Sequence, residues 1–451
     1  MKGAAVPQVL SVTTQDVRFP TSLELDGSDA VNVDPDYSAA YVTVALDNGE
    51  QGHAFVFTLG RGNEILTHAI DAYGKLLVGR DGDDLVTDLG SASKRLIHDS
   101  QMRWLGPEKG VTQMACGALV NALWDIRARR EGKPLWRLLA EMPAEELVNA
   151  IDFTHIRSAL TPEQALEILR RGEQGKPERI AELQANGYPA YTTSPGWLGY
   201  SDEKLVRLSR EAVADGFDMI KLKVGGSLED DRRRLGLVRS EVPGVQVAID
   251  ANQRWDVDDA ISWVNALAEF APYWIEEPTS TDDILGHAAI RRGVAPIKVA
   301  TGEAVHNRIM FKQLLEAEAI DVLQLDATRV GGINENLATV LLAAKFGVPV
   351  CPHAGGVGLC ELVQHYSFFD YAAVSGSQDG RFIEYVDHLH EHFAEPVRVQ
   401  GGRYLAPTRP GTGAEMLEES RTQWTFPDGP GWRAVGDRAA TTSPHITPAE
   451  A

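Results

Sequence analysis

The sequence predicts an α/β fold: a closed (β/α)-barrel behind a smaller α+β unit. Three observations carry this. In the second half of the chain short β-rich segments alternate with helical stretches: DMIKLKVGG, VQVAIDAN, YWIEEP, IKVATGE, DVLQLDATRVGG, VPVCPHAGG and RFIEYV. Alternation of this kind belongs to βα units on a parallel sheet. The segments recur at roughly 20 to 35 residues, the length of one strand plus one crossover helix, as a closed barrel requires. The first third of the chain lacks this period and mixes strands with longer helices. An open doubly wound sheet is the alternative that the alternation leaves open.

Taken in order, SAAYVTVAL from Ser38 to Leu46 has strand character, and VFTLGRG followed by NEILTHAIDAYGKLLVG reads as a strand passing into an amphipathic helix. Between Val111 and Arg130, VTQMACGALVNALWDIRARR places small and apolar residues at helical spacing, with further helix to about Ala144. The stretch from Thr161 to Gly187 reads as an extra helical hairpin, and RAVGDRAATTSPHITPAEA from Arg433 as a flexible end. The expected division is a cap over 1–145, a barrel over 146–395, a segment over 396–432 that returns to the cap, and a tail over 433–451.

Composition narrows the function classes. The 451 residues are 43% hydrophobic and 24% charged, ordinary for a globular chain and long enough for a large core. The opening MKGAAVPQVLSVTTQDVRF is interrupted by Pro7, Gln8 and Gln15 before an apolar leader forms, and no later run could span a bilayer. A cytoplasmic location without membrane contact is expected. Cys116, Cys351 and Cys360 are too scattered for a disulfide framework, so reduced thiols are expected. A formal net charge of −21 repels phosphate backbones and argues against a nucleic-acid partner. An anionic small molecule would need a local island of positive charge.

Polar residues at strand ends supply that island. Asp250 ends VQVAID, Glu276 ends YWIE and Glu303 ends IKVATGE, about one βα unit apart, so three consecutive strands aim carboxylates at one mouth. A lone acidic residue after a strand is more often a helix cap, but three in register point to a metal site. Oxygen-only ligands favour a hard cation, Mg²⁺ rather than Zn²⁺. Glu277 competes with Glu276, since adjacent residues face opposite ways. Lys221 and Lys223 lie two apart and project from one face, while Ile220 and Leu222 pack on the other. Crowded ammonium groups beside a cation are expected to depress at least one lysine pKa and so give a base. Asp326 ends VLQLD and His353 follows VPVCP, a pairing that would fix the imidazole tautomer and raise its basicity. Glu384, in RFIEYV, is expected to donate a hydrogen bond to a developing oxyanion if burial keeps it protonated.

Through Lys221-x-Lys223, the D-A-N of Asp250 to Asn252, the E-E-P of Glu276 to Pro278, the T-G-E ending in Glu303, and Asp326 with His353, the chain resembles the enolase superfamily, mandelate racemase subgroup. Within that subgroup RFPTSLELDGSDA, DPDYSAAYV, CPHAGGVGLCELVQH and IEYVDHLHEHF resemble the L-fuconate dehydratase family. The resemblance implies a (β/α)7β TIM-like barrel with an N-terminal α+β capping domain, and Mg²⁺ on Asp250, Glu276 and Glu303. It implies Lys223 as base and His353 with Asp326 as the second catalyst. Gly27 and Tyr37, with Asp29 from the same loop, would contact substrate from the cap, while Lys221, Asn252 and Glu384 would hold its carboxylate and hydroxyls. Loop lengths around Gly27 and Trp104 are where specificity could drift.

The implied reaction takes the C2 proton of an acid sugar, L-fuconate, and expels the 3-hydroxyl as water, leaving a 2-keto-3-deoxy acid. Either protonated Lys223 or His353 could serve the leaving group. A homo-oligomer is expected. Two rivals stay open: a racemase of a 2-hydroxy acid using the same lysine and histidine, and a non-catalytic metal-retaining binding protein.

Overall fold

The structure, a computed structural model, describes residues 6–442. The cap opens with an antiparallel sheet of β1 (Val9–Arg18), β2 (Ser38–Leu46) and β3 (Gln51–Thr58), in spatial order β1-β2-β3. β1 lies where the sequence reading saw only the absence of a leader. Its polar run Thr13 to Asp16 hides the alternation, yet it pairs with β2 from Val9↔Leu46 to Arg18↔Ser38. The helix Gly110–Arg130 packs on β3 and is buried along most of its length, so it carries little amphipathic signal.

The hairpin expected after residue 160 is present as Pro162–Gly172 and Lys176–Asn186, the first started by a capping box between Thr161 and Gln164. The barrel then runs through β4 (Tyr188–Thr192), β5 (Met219–Lys223), β6 (Gln246–Asp250), β7 (Trp274–Glu276), β8 (Lys298–Thr301) and β9 (Val322–Leu323), each parallel to the next. Val350 bridges Leu323, and β10 (Ile383–Tyr385) pairs in parallel with β4, bringing the last strand beside the first. Seven crossover helices separate these eight strand positions, so the fold is the (β/α)7β barrel with a capping domain, and the open sheet is excluded. Short polar side chains cap several of the crossovers: Ser201, Ser227, Asp283 and Asn307 each accept from a first-turn backbone N–H. β4 had no counterpart in the sequence reading, because Pro189 at its second position demotes YPAYT as a strand.

Side chains on the inner face follow the strand period of two. Tyr191, Met219, Ala248, Trp274, Ala300, Val322 and Cys351 form one apolar plug. Two residues further along the same strands stand Thr193, Lys221, Asp250, Glu276, Gln324 and His353, with Glu384 two beyond Phe382. The plug therefore ends in a polar layer at the mouth. Ile220 and Leu222 face outward into the core beneath the helices.

After β10 the chain forms the hairpin β11 (Val399–Gln400) and β12 (Arg403–Tyr404) against β4, then reaches the cap, where Thr425 bridges Val17 and the Phe426 N–H donates to the Asp16 carbonyl at 2.8 Å. The tail expected to be flexible from 433 instead runs inside a helix, Pro430–Thr442, that is seated by Trp432 donating to the Arg18 carbonyl at 2.8 Å. The remainder of that tail, 443–451, lies outside the described residues. No helix among the described residues is long and apolar enough to cross a membrane.

Candidate active site

One oxygen of each of Asp250, Glu276 and Glu303 lies within 4.8 Å of the others. Asp250 and Glu276 are fully buried at the ends of β6 and β7. Glu303 follows Gly302, whose φ of +150° puts the site of a Cβ only 2.3 Å from the Gln324 carbonyl, so only glycine lets the chain turn there. Glu276 accepts from Gln324 Nε2 at 2.7 Å and Trp274 Nε1 at 3.2 Å. Glu277 is buried too, but at φ +41° it turns aside and accepts from Gln253 at 3.1 Å. Of the two adjacent glutamates, Glu276 is the one in the cluster.

The donor set fits a hard divalent cation. All three donors are carboxylate oxygens, and Glu303 Oε2 is buried with no hydrogen-bond partner among the described residues. Burial, with the charges of Asp250, Glu384 and Glu303, pushes Glu276 up to about 8 even against Lys221. Burial and the neighbouring carboxylates also raise Glu277 well above the ordinary glutamate value.

Both lysines are wrapped in carboxylate. Lys221 Nζ stands 2.5 Å from Glu276, 2.8 Å from Glu384 and 3.3 Å from Asp250. Lys223 Nζ stands 2.5 Å from Asp250 and donates to Asn252 Oδ1 at 2.9 Å. The expected depression of a lysine pKa presumes a neighbouring cation; the carboxylates by themselves act the other way. Burial alone would lower both, but Glu276 and Glu384 around Lys221, and Asp250 beside Lys223, raise both above the ordinary lysine value. The acidic groups outweigh the repulsion between the ammonium groups.

Glu384 corrects a second expectation. Burial raises it, yet Lys221 and His353 hold it below the ordinary glutamate value, so it is a carboxylate and not a donor. It accepts from the Thr193 hydroxyl and from the Ala354 N–H at 3.0 Å. His353 Nδ1 lies 2.8 Å from Asp326, and its Nε2 lies 3.4 Å from Glu303. Burial opposes its charge, but Glu303, Asp326 and Glu384 raise it to about 10. The ring is held in place by Asp326, which is itself fixed by the Thr328 N–H and hydroxyl.

Above this floor lies a cavity of about 240 Å³, walled by Lys223, Asn252, Glu303, His353 and Glu384 from the barrel and by Gly27, Asp29, Asn32, Tyr37, Phe57 and Leu59 from the cap. Asp250, Glu276 and Lys221 do not line it; they form the layer below. Lys221, expected to contact substrate, is thus fully engaged by three carboxylates. Gly27 has φ +87°, and a Cβ there would sit 2.5 Å from the Tyr37 ring, so this glycine lets the loop close onto the tyrosine. Asp29 reaches the cavity, but its oxygens accept from the Val31 and Asn32 N–H groups of its own loop at 2.7 and 2.6 Å. Trp197, Met114 and Arg329 also line the wall and were not singled out in the sequence. Arg329 stood inside the quoted DVLQLDATRVGG, and its charge was the available signal.

The mouth of this (β/α)7β barrel joins three carboxylates, two lysines and an Asp–His pair beneath a cap, the groups that metal-assisted proton abstraction next to a carboxylate calls for. The domain models "Mandelate racemase / muconate lactonizing enzyme, N-terminal domain" and "Enolase C-terminal domain-like" match residues 30–140 and 204–420, and the chain belongs to this mandelate racemase/muconate lactonizing enzyme family of the enolase superfamily. The crystal structure of human mitochondrial enolase superfamily member 1 is similar at a TM-score of 0.94 and 50% identity, covering 95% of this chain and 98% of that one. The L-galactonate dehydratase of Hypocrea jecorina is 50% identical over 92% of this chain and 93% of its own length. The L-talarate/galactarate dehydratase from Salmonella typhimurium LT2, solved with Mg and L-lyxarohydroxamate, has a TM-score of 0.73 at 25% identity over 94% of each chain. Dehydratases of acid sugars thus stand among the relatives.

Proposed function

We propose that this protein is a Mg²⁺-dependent hydro-lyase of acid sugars that converts L-fuconate to 2-keto-3-deoxy-L-fuconate and water. The observation that carries the reading is the flanking of one carboxylate cluster by Lys223, held on Asp250, and by His353, held on Asp326, at a single cavity. Asp250, Glu276 and Glu303 would hold Mg²⁺, which when bound neutralises charge developing on the substrate carboxylate and on the acidic groups around Lys223. With the charge of Asp250 so offset, Lys223 in its neutral form takes the C2 proton. His353, an imidazolium with Nε2 toward the cavity, gives a proton to the departing 3-hydroxyl. The enol left behind loses its O–H proton at C2 and gains one at C3 to become the 2-keto acid. Asn252 and Glu384 orient the carboxylate and hydroxyls, Lys221 fixes the carboxylates beneath them, and Gly27, Tyr37 and Asp29 close the far end.

The relatives' names support the substrate class. L-Fuconate is L-galactonate without its 6-hydroxyl, so the Hypocrea jecorina relative carries, by name, a substrate of the same C2 to C5 configuration. Three buried free thiols suit a reducing, cytoplasmic compartment, and exposed Trp104 and Leu105 offer apolar surface for the homo-oligomer.

The test is a panel of acid sugars with enzyme and Mg²⁺ in D₂O, followed by NMR. L-Fuconate should lose water and carry deuterium at C3 of the product. Turnover of a sugar acid of another configuration at least a hundredfold faster would move the substrate while keeping the lyase. C2 exchange and racemisation without water loss would make the protein a racemase, and binding without either would make it non-catalytic.

A further inference from the structure

Besides His353, two basic side chains line the cavity, Lys223 and Arg329. Lys223 is committed to Asp250 and Asn252. Arg329 makes no ion pair among the described residues. Its Nε donates to the Glu303 carbonyl at 3.1 Å, its Nη1 meets only the Met114 thioether at 3.7 Å, and its Nη2 has no acceptor among the described residues. A guanidinium has five N–H donors in a fixed plane, and one held in a cavity with its outer edge unspent matches an oxygen-bearing ligand group.

Its place in the cavity says which group. The metal-binding carboxylates and Lys221 belong to the floor, which under the reading above holds C1 and C2 of the substrate. Arg329 is anchored by its Nε on the Glu303 carbonyl and runs to the side of the cavity where the loop after β9 meets the cap: its Nη1 reaches Met114 of the cap helix, and the Phe57 N–H at the end of β3 donates to the neighbouring Thr328 Oγ1 at 3.3 Å. A six-carbon chain anchored at the floor extends toward this side. We infer that Arg329 is a specificity residue that donates to an oxygen on C6, so that the site accepts acid sugars ending in a hydroxyl or a carboxylate as well as in a methyl group. This rests on the proposed acid-sugar chemistry and adds what the pocket reads at the far end.

L-Fuconate, L-galactonate and galactarate share their C2 to C5 configuration and differ at C6 as methyl, hydroxymethyl and carboxylate. Wild type and Arg329→Met are compared on all three, by kcat/KM and by calorimetric binding to the Mg²⁺-loaded protein. Methionine keeps length and apolar packing beside Met114 but offers no donor. The expected result is a loss of roughly ten- to a hundredfold for L-galactonate and galactarate, mainly in KM and binding, with L-fuconate within about threefold. Arg329→Lys should recover part of the galactarate loss through its charge. An equal loss on all three, or none on any, would overturn the assignment. So would Mg²⁺ affinity weakened about tenfold or more in Arg329→Met, which would mean that the arginine acts through Glu303. If wild type dehydrates none of the three, the lyase reading fails by itself, and the binding comparison still decides for or against Arg329.

Discussion

The barrel supplies the floor of the cavity and the cap supplies its roof, and the two are built differently. On the floor each group stands on or just beyond a strand, and is crossed by charged hydrogen bonds such as Lys221 to Glu276 at 2.5 Å and Lys223 to Asp250 at 2.5 Å. Moving one strains several others. On the roof, Gly27, Asp29 and Tyr37 belong to one loop between β1 and β2 that largely satisfies itself, through Asp29 on Val31 and Asn32 and Thr21 on the Pro35 carbonyl. That loop is tied to the barrel at few points: Tyr200 to Asp26, Lys204 to the Glu24 carbonyl at 3.3 Å, and the Leu198 N–H to the Ser28 carbonyl at 3.0 Å. On the proposed function the rigid element would carry the chemistry and the replaceable one would shape the substrate's far end. Floor substitutions should therefore lower kcat, and roof substitutions should raise KM.

The largest effect is expected on the floor. Chelation should abolish water loss from L-fuconate and Mg²⁺ should restore it, because the clustered carboxylates cannot otherwise balance the charge of the reacting acid. Lys223→Ala should cut kcat by roughly 10³- to 10⁴-fold while calorimetry still detects substrate. Persistent C2 exchange in that variant would assign the base elsewhere. Glu276→Gln should weaken Mg²⁺ binding more than Glu277→Gln, since Glu277 turns toward Gln253; the opposite order would exchange their roles. Next comes the Asp–His pair. His353→Asn should lower kcat by about 10²-fold or more and Asp326→Asn by less, because the second change leaves the imidazole in place but unsteered. A near-wild-type His353→Asn would leave Lys223 to handle both protons.

The same contrast explains what could be read from the chain. Asp250, Glu276 and Glu303 were legible because a barrel strand spaces its inner residues by two and its units by a nearly constant length, so acidic groups in register betray a common mouth. Their charge states were not legible. That Lys223 is raised and Glu384 is an acceptor depends on which carboxylates crowd each group, a matter of three-dimensional packing. β4 was hidden by Pro189, β1 by its polar middle, and the helix from 430 by small and charged residues that read as a loose end. Gly27 and Tyr37 had no local pattern at all and were reached only through family resemblance. Trp197 and Met114 were missed because an aromatic or a methionine in a barrel protein reads first as core.

On the roof a smaller effect is expected. Gly27→Ala places a methyl group against the Tyr37 ring at a positive φ, so the loop or the ring must shift. KM for L-fuconate should rise about tenfold with kcat changed less than threefold, read from initial rates at saturating Mg²⁺. A fall in kcat as large as that of His353→Asn would place Gly27 with the floor and dissolve the distinction.

The smallest effect concerns the seam where the chain leaves the barrel to return to the cap. His390 Nδ1 lies 2.8 Å from the buried Glu361 carboxylate and its Nε2 lies 2.6 Å from the Val386 carbonyl, while the Val397 N–H donates to the same glutamate at 3.2 Å. Both ring nitrogens face acceptors, so the imidazolium is the form that satisfies them; burial opposes it, but Glu361 first, then Val386 and the Glu391 charge, raise its pKa above the ordinary histidine value. The folded value lies above the unfolded one, so the stabilisation is fully present below about pH 6.5 and is lost as pH rises through the folded value. Neutral glutamine at 390 lacks this dependence. His390→Gln should therefore melt a few degrees below wild type near pH 6, and the two curves should converge as pH is raised through the folded value. The measurement is Tm against pH for both proteins, with kcat on L-fuconate at pH 7 as the control that should move less than twofold, since His390 does not line the cavity. A Tm difference that stays constant with pH would mean that His390 acts by packing on Tyr385, whose ring stacks on it at 5.4 Å, and not by charge.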